Sequence, residues 1–202
     1  MSPALIAIGG SLIASFGGFY YLVRTLRGRV QPNRVSWFFW SVLPFTVFFA
    51  QLAEGVPAQI ILVSFLAGIV PFSVFCASFY NPRAYWRVHW YDYFFAFFTI
   101  SGLALWYIIS EPAITLTVAI IVDMTMAAPL LFKIHSHPFS EHWSFYGCNA
   151  LGFFIVTLSL PGWSYINSAY VFYLASVNLT VTLYIFYKQN TTPKKVASHR
   201  PA

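Results

Sequence analysis

One acidic side chain stands where acids are costly. Asp123 interrupts a long run without other charges, Thr115 to Phe132, and the next basic residue is Lys133. A carboxylate amid so much hydrocarbon costs several kcal/mol unless it is protonated, paired or facing water. Three roles fit it: a proton carrier whose affinity is tuned by desolvation, a partner for a cationic or hydroxylated ligand, or a protonated structural carboxyl bonded to a neighbouring helix. Two amides, Asn178 and Asn149, lie in similar apolar runs, and Asn178 falls at the depth expected for Asp123. Either amide can line a polar path or join helices, a contact worth about 0.6–2 kcal/mol. Trp40, near Ser36 and Trp37, is a candidate aromatic wall for a substrate. Pro44, Pro71 and Pro129 fall inside apolar runs, where each removes a backbone donor and frees a carbonyl. They are candidate hinges.

Other chemistries find little support. The stretch His135-Ser136-His137-Pro138-Phe139-Ser140-Glu141-His142 is rich in potential ligands, but its spacing matches no metal pattern and Pro138 breaks the helix that would align them. It reads as a loop and helix cap. The sequence shows no glycine-rich phosphate loop, nucleophile elbow or zinc-protease motif, and no lysine lies between 167 and 187 to carry a retinal. No enzyme activity, metal or cofactor is expected.

The elements that must position these residues follow from composition. Hydrophobic residues make up 59% of the 202 and charged ones 8%, against about 25% charged in soluble domains, which points to a membrane protein. Crossing a bilayer takes about 20 apolar residues, and seven stretches qualify: 3–26, 35–53, 58–80, 91–110, 113–133, 143–162 and 167–188. Met1-Ser2-Pro3 lacks a basic start, so the first is read as a span and not a signal peptide. With the N-terminus outside, the loops after helices 1, 3 and 5 and the tail 189–202 hold all 11 basic residues, counting span ends such as Arg24, Lys133 and Lys188. Those long side chains are expected to reach the interface. The outer connections hold Glu54 and Glu111, with Gln51 and Gln59 beside the first. This segregation sets the N-terminus outside and the C-terminus in the cytoplasm. The net charge of +6 is thereby a topology signal, and no nucleic-acid partner is needed. Trp37, Trp86, Trp90, Trp143 and Trp163 read as an aromatic belt near helix ends. Cys76 and Cys148 read as small packing residues.

The chain also carries a faint repeat. A shift of 109 residues places Pro3-Ala4 on Pro112-Ala113 and Arg24 on Lys133; a shift of 108 places Ser36 on Ser144, Phe45 on Phe153 and Leu66-Ala67 on Leu174-Ala175. Helices 1–3 (3–80) and 5–7 (113–188) match in order and loop charge, with helix 4 (91–110) between them, so both halves share one membrane orientation. The fold expected is all-α: seven transmembrane helices forming two parallel three-helix bundles joined by a linker helix. Gly10, Ala14 and Gly18 form a small-residue ridge for close helix approach, and the matching Ala119, Asp123 and Ala127 put the carboxylate on a packing ridge.

With Pro129-Leu130 near the inner end of helix 5, Tyr20-Tyr21 at the corresponding place in helix 1, and a basic turn before Asn33-Arg34-Val35-Ser36-Trp37, this 3+1+3 layout resembles the PQ-loop/SWEET-like transporter group. The resemblance spans essentially the whole chain. It implies transport of a small polar solute such as a sugar, amino acid or vitamin-like compound by alternating access. It also implies an Asn in helix 7, met by Asn178, where helix 3 has Val70, and a proton-coupling Asp in helix 5, met by Asp123. The partners expected are that solute and the lipid bilayer, leaving room for a homo-oligomer. The competing expectation is a non-transporting receptor or scaffold on the same fold.

Overall fold

The termini of the helices are written in their local chemistry. At the end of the first, Gly28 adopts φ 64°, Arg29 N–H donates to Arg24 O and Gly28 N–H to Thr25 O, both at 2.9 Å. This is a glycine-terminated helix end, a conformation a Cβ would strain. Asn33 opens the second helix: its Oδ1 accepts from Val35 N–H at 3.0 Å and Ser36 N–H at 3.3 Å. Glu111 does the same for the fifth, accepting from Ile114 N–H at 2.7 Å with Pro112 in the first turn.

In the computed structural model, which describes residues 3–53, 55, 58–80, 82–84, 87–108, 111–160 and 163–193, the chain is all-helical. The helices are α1 (Pro3–Leu26), α2 (Arg34–Ala53), α3 (Ala58–Tyr80), α4 (Trp90–Ile108), α5 (Pro112–Ser136), α6 (Ser144–Leu158) and α7 (Tyr165–Thr191), with single 3₁₀ turns at Pro82–Ala84 and Pro138–Ser140. Three of them contain stretches long and apolar enough to cross a membrane: Leu5–Leu26, Leu116–Ser136 and Ser168–Thr191. Glu54, Val56, Pro57, Trp86 and the tail beyond Thr192-Pro193 lie outside the described residues, as do the side chains of Gln51 and Gln59.

Most boundaries match the expected ones within a few residues. The exception is α6, expected to run to 162. It stops at Leu158, where the Ser159 hydroxyl bonds to Val156 O at 2.6 Å and competes with the helical ladder. The helices pack in a definite pattern. α3 lies between α1 and α2, α7 between α5 and α6, while α1 meets α6, α2 meets α5, and α4 leans mainly on α5.

The small-residue ridge of α1 does what its spacing suggests. A Cβ on Gly10 would strike Gly152 O and Val156 of α6, and one on Gly18 would strike Val70 of α3. Two further glycines belong to the same contact: Gly17 lies against Cys148 and the Ser144 carbonyl, and Gly152 against the Gly10 carbonyl. The corresponding row on α5 behaves otherwise. Ala119, Asp123 and Ala127 face a cavity, because α5 meets α7 and α2 on its flanks and leaves this stripe uncovered.

Large apolar side chains point outward on every long helix, among them Phe16, Phe97 and Phe172, while Thr25, Ser36, Ser78, Asp92, Lys133 and Glu141 are buried. Replacing Gly17 or Gly152 with Val forces α1 and α6 apart and should destabilise the purified protein by about 1–3 kcal/mol. Gly9→Ala, where nothing lies within 4 Å, should instead be neutral or stabilise by up to about 1 kcal/mol. Thermal unfolding in detergent reads both.

Candidate functional site: a cavity with one carboxylate

Among the described residues, side chains of every long helix but α4 line a cavity of about 660 Å³. Its floor is aromatic, with Trp40, Phe145 and Tyr146, and its walls are mainly small or aliphatic: Ala14 from α1, Ala67 and Val70 from α3, Ala119 and Ala127 from α5, Leu174 and Val177 from α7. Into this apolar space the sequence delivers four of its candidates together. Asp123, Asn178, Asn149 and Trp40 all line the cavity, although they come from four different helices.

Asp123 is half-buried, and its Oδ2 accepts a hydrogen bond from the Tyr173 hydroxyl at 2.8 Å. Tyr170 lines the cavity beside it. Neither tyrosine is foreshadowed by spacing, since they lie 47 and 50 residues away on another helix. A half-buried carboxylate with one side bonded and the other toward a cavity has a free oxygen for a ligand. The amides are simpler. Asn178 Nδ2 donates to Leu174 O and Asn149 Nδ2 to Phe145 O, both at 2.8 Å and one turn back along their own helices. They do not glue helices together.

The candidate hinges divide. Helices α2, α3 and α5 run straight through Pro44, Pro71 and Pro129 without a break. Pro44 and Pro71 stand on the cavity wall. Pro129 is buried, on the flank of α5 away from that wall. A helical proline removes the bond to the carbonyl four residues earlier, which here frees the carbonyls of Trp40 and Ala67, both cavity residues.

Below the floor, at the end where α1, α3, α5 and α7 finish, the structure corrects two expectations. Lys133 does not extend to an interface. It is fully buried, donating to Glu141 Oε1 at 2.5 Å and to the Gln31 carbonyl. Glu141 ends the 3₁₀ turn as its C-cap residue, but its side chain caps no helix; its Oε2 accepts from the hydroxyls of Tyr21 at 2.6 Å and Tyr146 at 3.3 Å. The 3₁₀ turn at Pro138–Ser140 folds the connection back under α5 and brings the acid to the lysine, and Gln189 of α7 holds that turn through Pro138 O and Glu141 O. Gln31 N–H also donates to Ser140 O at 2.9 Å, so the α1–α2 and α5–α6 connections bond to each other. Trp37 likewise leaves the expected belt. It is fully buried, stacked on Tyr21 at 4.8 Å between ring centroids and 4.7 Å from Phe145, whereas Trp90 and Trp163 are exposed.

A second acid is buried alongside. Asp92 accepts from Asn33 Nδ2 and from His89 N–H, both at 2.7 Å, tying the start of α4 to the start of α2. The histidine-rich stretch is dispersed: His135 Nδ1 meets the Tyr184 hydroxyl and His142 Nδ1 meets Ser144, each at 2.9 Å. Among the described residues no group of three His, Cys, Asp or Glu side chains is placed to hold a metal ion. No protein-family model matches the sequence, and neither a curated protein nor a solved structure matches it.

Two outcomes follow from the network under the floor. Glu141→Gln leaves the Lys133 ammonium buried beside a neutral amide and should cost about 3–5 kcal/mol of stability; the Lys133→Met/Glu141→Leu pair removes both charges and should cost much less, as thermal unfolding would show. His142 provides a pH test. Burial first, and the Arg24 guanidinium second, hold its imidazole below the ordinary 6.5, in keeping with Nδ1 accepting from Ser144 N–H. Between that lowered value and 6.5 the unfolded chain binds more protons than the folded one, so stability falls as pH drops below 6.5 and is unaffected above it. His142→Gln should flatten that part of a melting-temperature profile.

Proposed function

We propose that the protein is a seven-span membrane carrier, SWEET-like in layout, that moves a small polar solute by alternating access around Asp123. The cavity carries this reading: a membrane-depth pocket closed below by aromatic rings and an ion pair, with one carboxylate on its wall. Its size lies within the roughly 300–1,000 Å³ of small-molecule sites.

The helix contacts support two parallel three-helix bundles joined by α4. Each bundle has its third helix in the middle, and the bundles meet through α1 with α6 and α2 with α5. Individual contacts repeat under the same exchange. Ser36 Oγ donates to Met126 O at 2.9 Å, and its counterpart Ser144 lies with its carbonyl against Gly17, the counterpart of Met126. Two halves related in this way can rock against each other, which is how parallel repeats alternate access.

Burial is also inverted in the sense a bilayer favours, with Phe outward and hydroxyl groups inward. Hydrogen bonds between Arg34 and Ser78, Lys133 and Gln31, and Gln189 and Pro138 gather the basic ends of the helices on one side. That side is the cytoplasmic one by the charge rule, with the N-terminus outside. On this reading the contacts latch the cytoplasmic side shut. Inward opening breaks the Lys133–Gln31 and Tyr21–Glu141 contacts, which join the first half to the second.

In an apolar cavity at membrane depth Asp123 is neutralised by a proton or by a bound solute, and on this reading that couples flux to protons. Reconstituted liposomes with an internal pH dye, offered a panel of sugars, amino acids and vitamins, test it. Solute-dependent proton movement is expected, and Asp123→Asn should abolish it. Solute uptake in the absence of any proton signal would refute the coupling, and no uptake of any compound would leave a receptor or scaffold.

A further inference from the structure

The polar groups of the cavity include one carboxylate and, among the described residues that line it, no cationic side chain. Both amides direct an N–H into their own helix, leaving the Oδ1 atoms of Asn149 and Asn178 toward the cavity. Ser11 also donates its hydroxyl backward, to Ala7 O at 2.9 Å. Pro44 and Pro71 release the carbonyls of Trp40 and Ala67. Asp123 has one oxygen bonded by Tyr173 and the other available. Donors are present as well, in the Tyr170 and Ser15 hydroxyls and the Trp40 indole, but among the described residues no Lys, Arg or His lines the cavity to offset the Asp123 charge.

A carboxylate or phosphate ligand would find no cation here, and burying its charge unpaired is costly. A sugar would bring many hydroxyls to walls made mostly of Ala, Val and Leu, and would leave several unsatisfied. An ammonium group fits on each count. It carries only donors, offsets the Asp123 charge, and can lie over the faces of Trp40 or Tyr170. The remaining apolar volume accepts a hydrocarbon body.

We infer that the ligand of this cavity is an organic ammonium ion with an apolar body about the size of one aromatic ring, its nitrogen on Asp123 and its body against Phe145, Phe153 and Val156. This rests on the carrier reading and narrows its solute from small polar compounds in general to cationic amines. Transport then becomes an exchange: the amine cation replaces one proton on Asp123, that proton leaves to water, and the carboxyl is reprotonated when the cation departs. The charge on the wall stays balanced throughout.

The test is binding of radiolabelled 2-phenylethylammonium to the purified full-length protein in detergent, competed by 2-phenylethanol, phenylacetate and glucose. The amine is expected to bind saturably, and the neutral, anionic and sugar competitors to be weaker by about tenfold or more. Asp123→Asn should weaken the amine about tenfold or more, while Asp123→Glu, which keeps the charge, should retain most of the affinity and guards against mere misfolding. Equal or better competition by the alcohol or the sugar would overturn the inference, as would unchanged amine binding in Asp123→Asn. Tracer flux in liposomes separates the two readings. Asp123-dependent amine binding without flux upholds this site and rejects the carrier; glucose flux without amine binding upholds the carrier and rejects this site.

Discussion

Lys133 and Glu141 place opposite charges where water does not reach, and such a pair survives only if its other hydrogen-bonding groups are also met. Here they are. Tyr21 and Tyr146 occupy one carboxylate oxygen, the ammonium takes the other, and the Gln31 carbonyl completes the lysine. Each of these partners comes from a different part of the chain, so the electrostatic requirement is also a geometric one. It draws α1, α5, α6 and the α1–α2 and α5–α6 connections to one point, and Gln189 adds α7. The aromatic floor of Trp40, Phe145 and Tyr146 rests on that point, and the cavity begins above it.

The cavity shows the opposite economy. Around Lys133 and Glu141 nearly every polar group is matched within the protein, whereas Asp123 has Tyr173 on one oxygen, no cation among the described lining residues, and its other oxygen left over. A matched network holds two halves together; an unmatched one invites something from outside. Both lie along the same two helices, with Asp123 and Lys133 ten residues apart on α5, about 15 Å at the helical rise. The two sites are therefore joined by one continuous helix.

Much of this was legible in the residues themselves. The helices and most of their ends follow from the apolar runs, while the caps at Asn33, Glu111 and Gly28 emerge only in the structure. The close approach of α1 follows from its glycines, although Gly17 and Gly152 were hidden among ordinary apolar neighbours. Asp123, Asn149, Asn178 and Trp40 stood out because polar or aromatic residues in such runs need a reason, and they meet in one cavity. Lys133, Glu141 and Trp37 were misplaced for a common cause. Each sits at a helix end, where a charge or an indole ordinarily finds an interface, and only the fold of the 3₁₀ turn and the stacking of Tyr21 turn them inward. The tyrosines beside Asp123 left no local sign.

Composition and spacing were sufficient to determine the helical class, the apolar lengths and the shortage of charges inside them, because those depend on each residue's own cost of transfer and on the backbone's need to bond to itself. Which face of each helix is covered, which acid meets which base, and whether an amide faces a neighbour or an empty space were decided by tertiary structure alone. Those outcomes depend on helix rotation and on contacts between residues tens of positions apart, and a side chain's own chemistry does not specify the partner that packing brings to it.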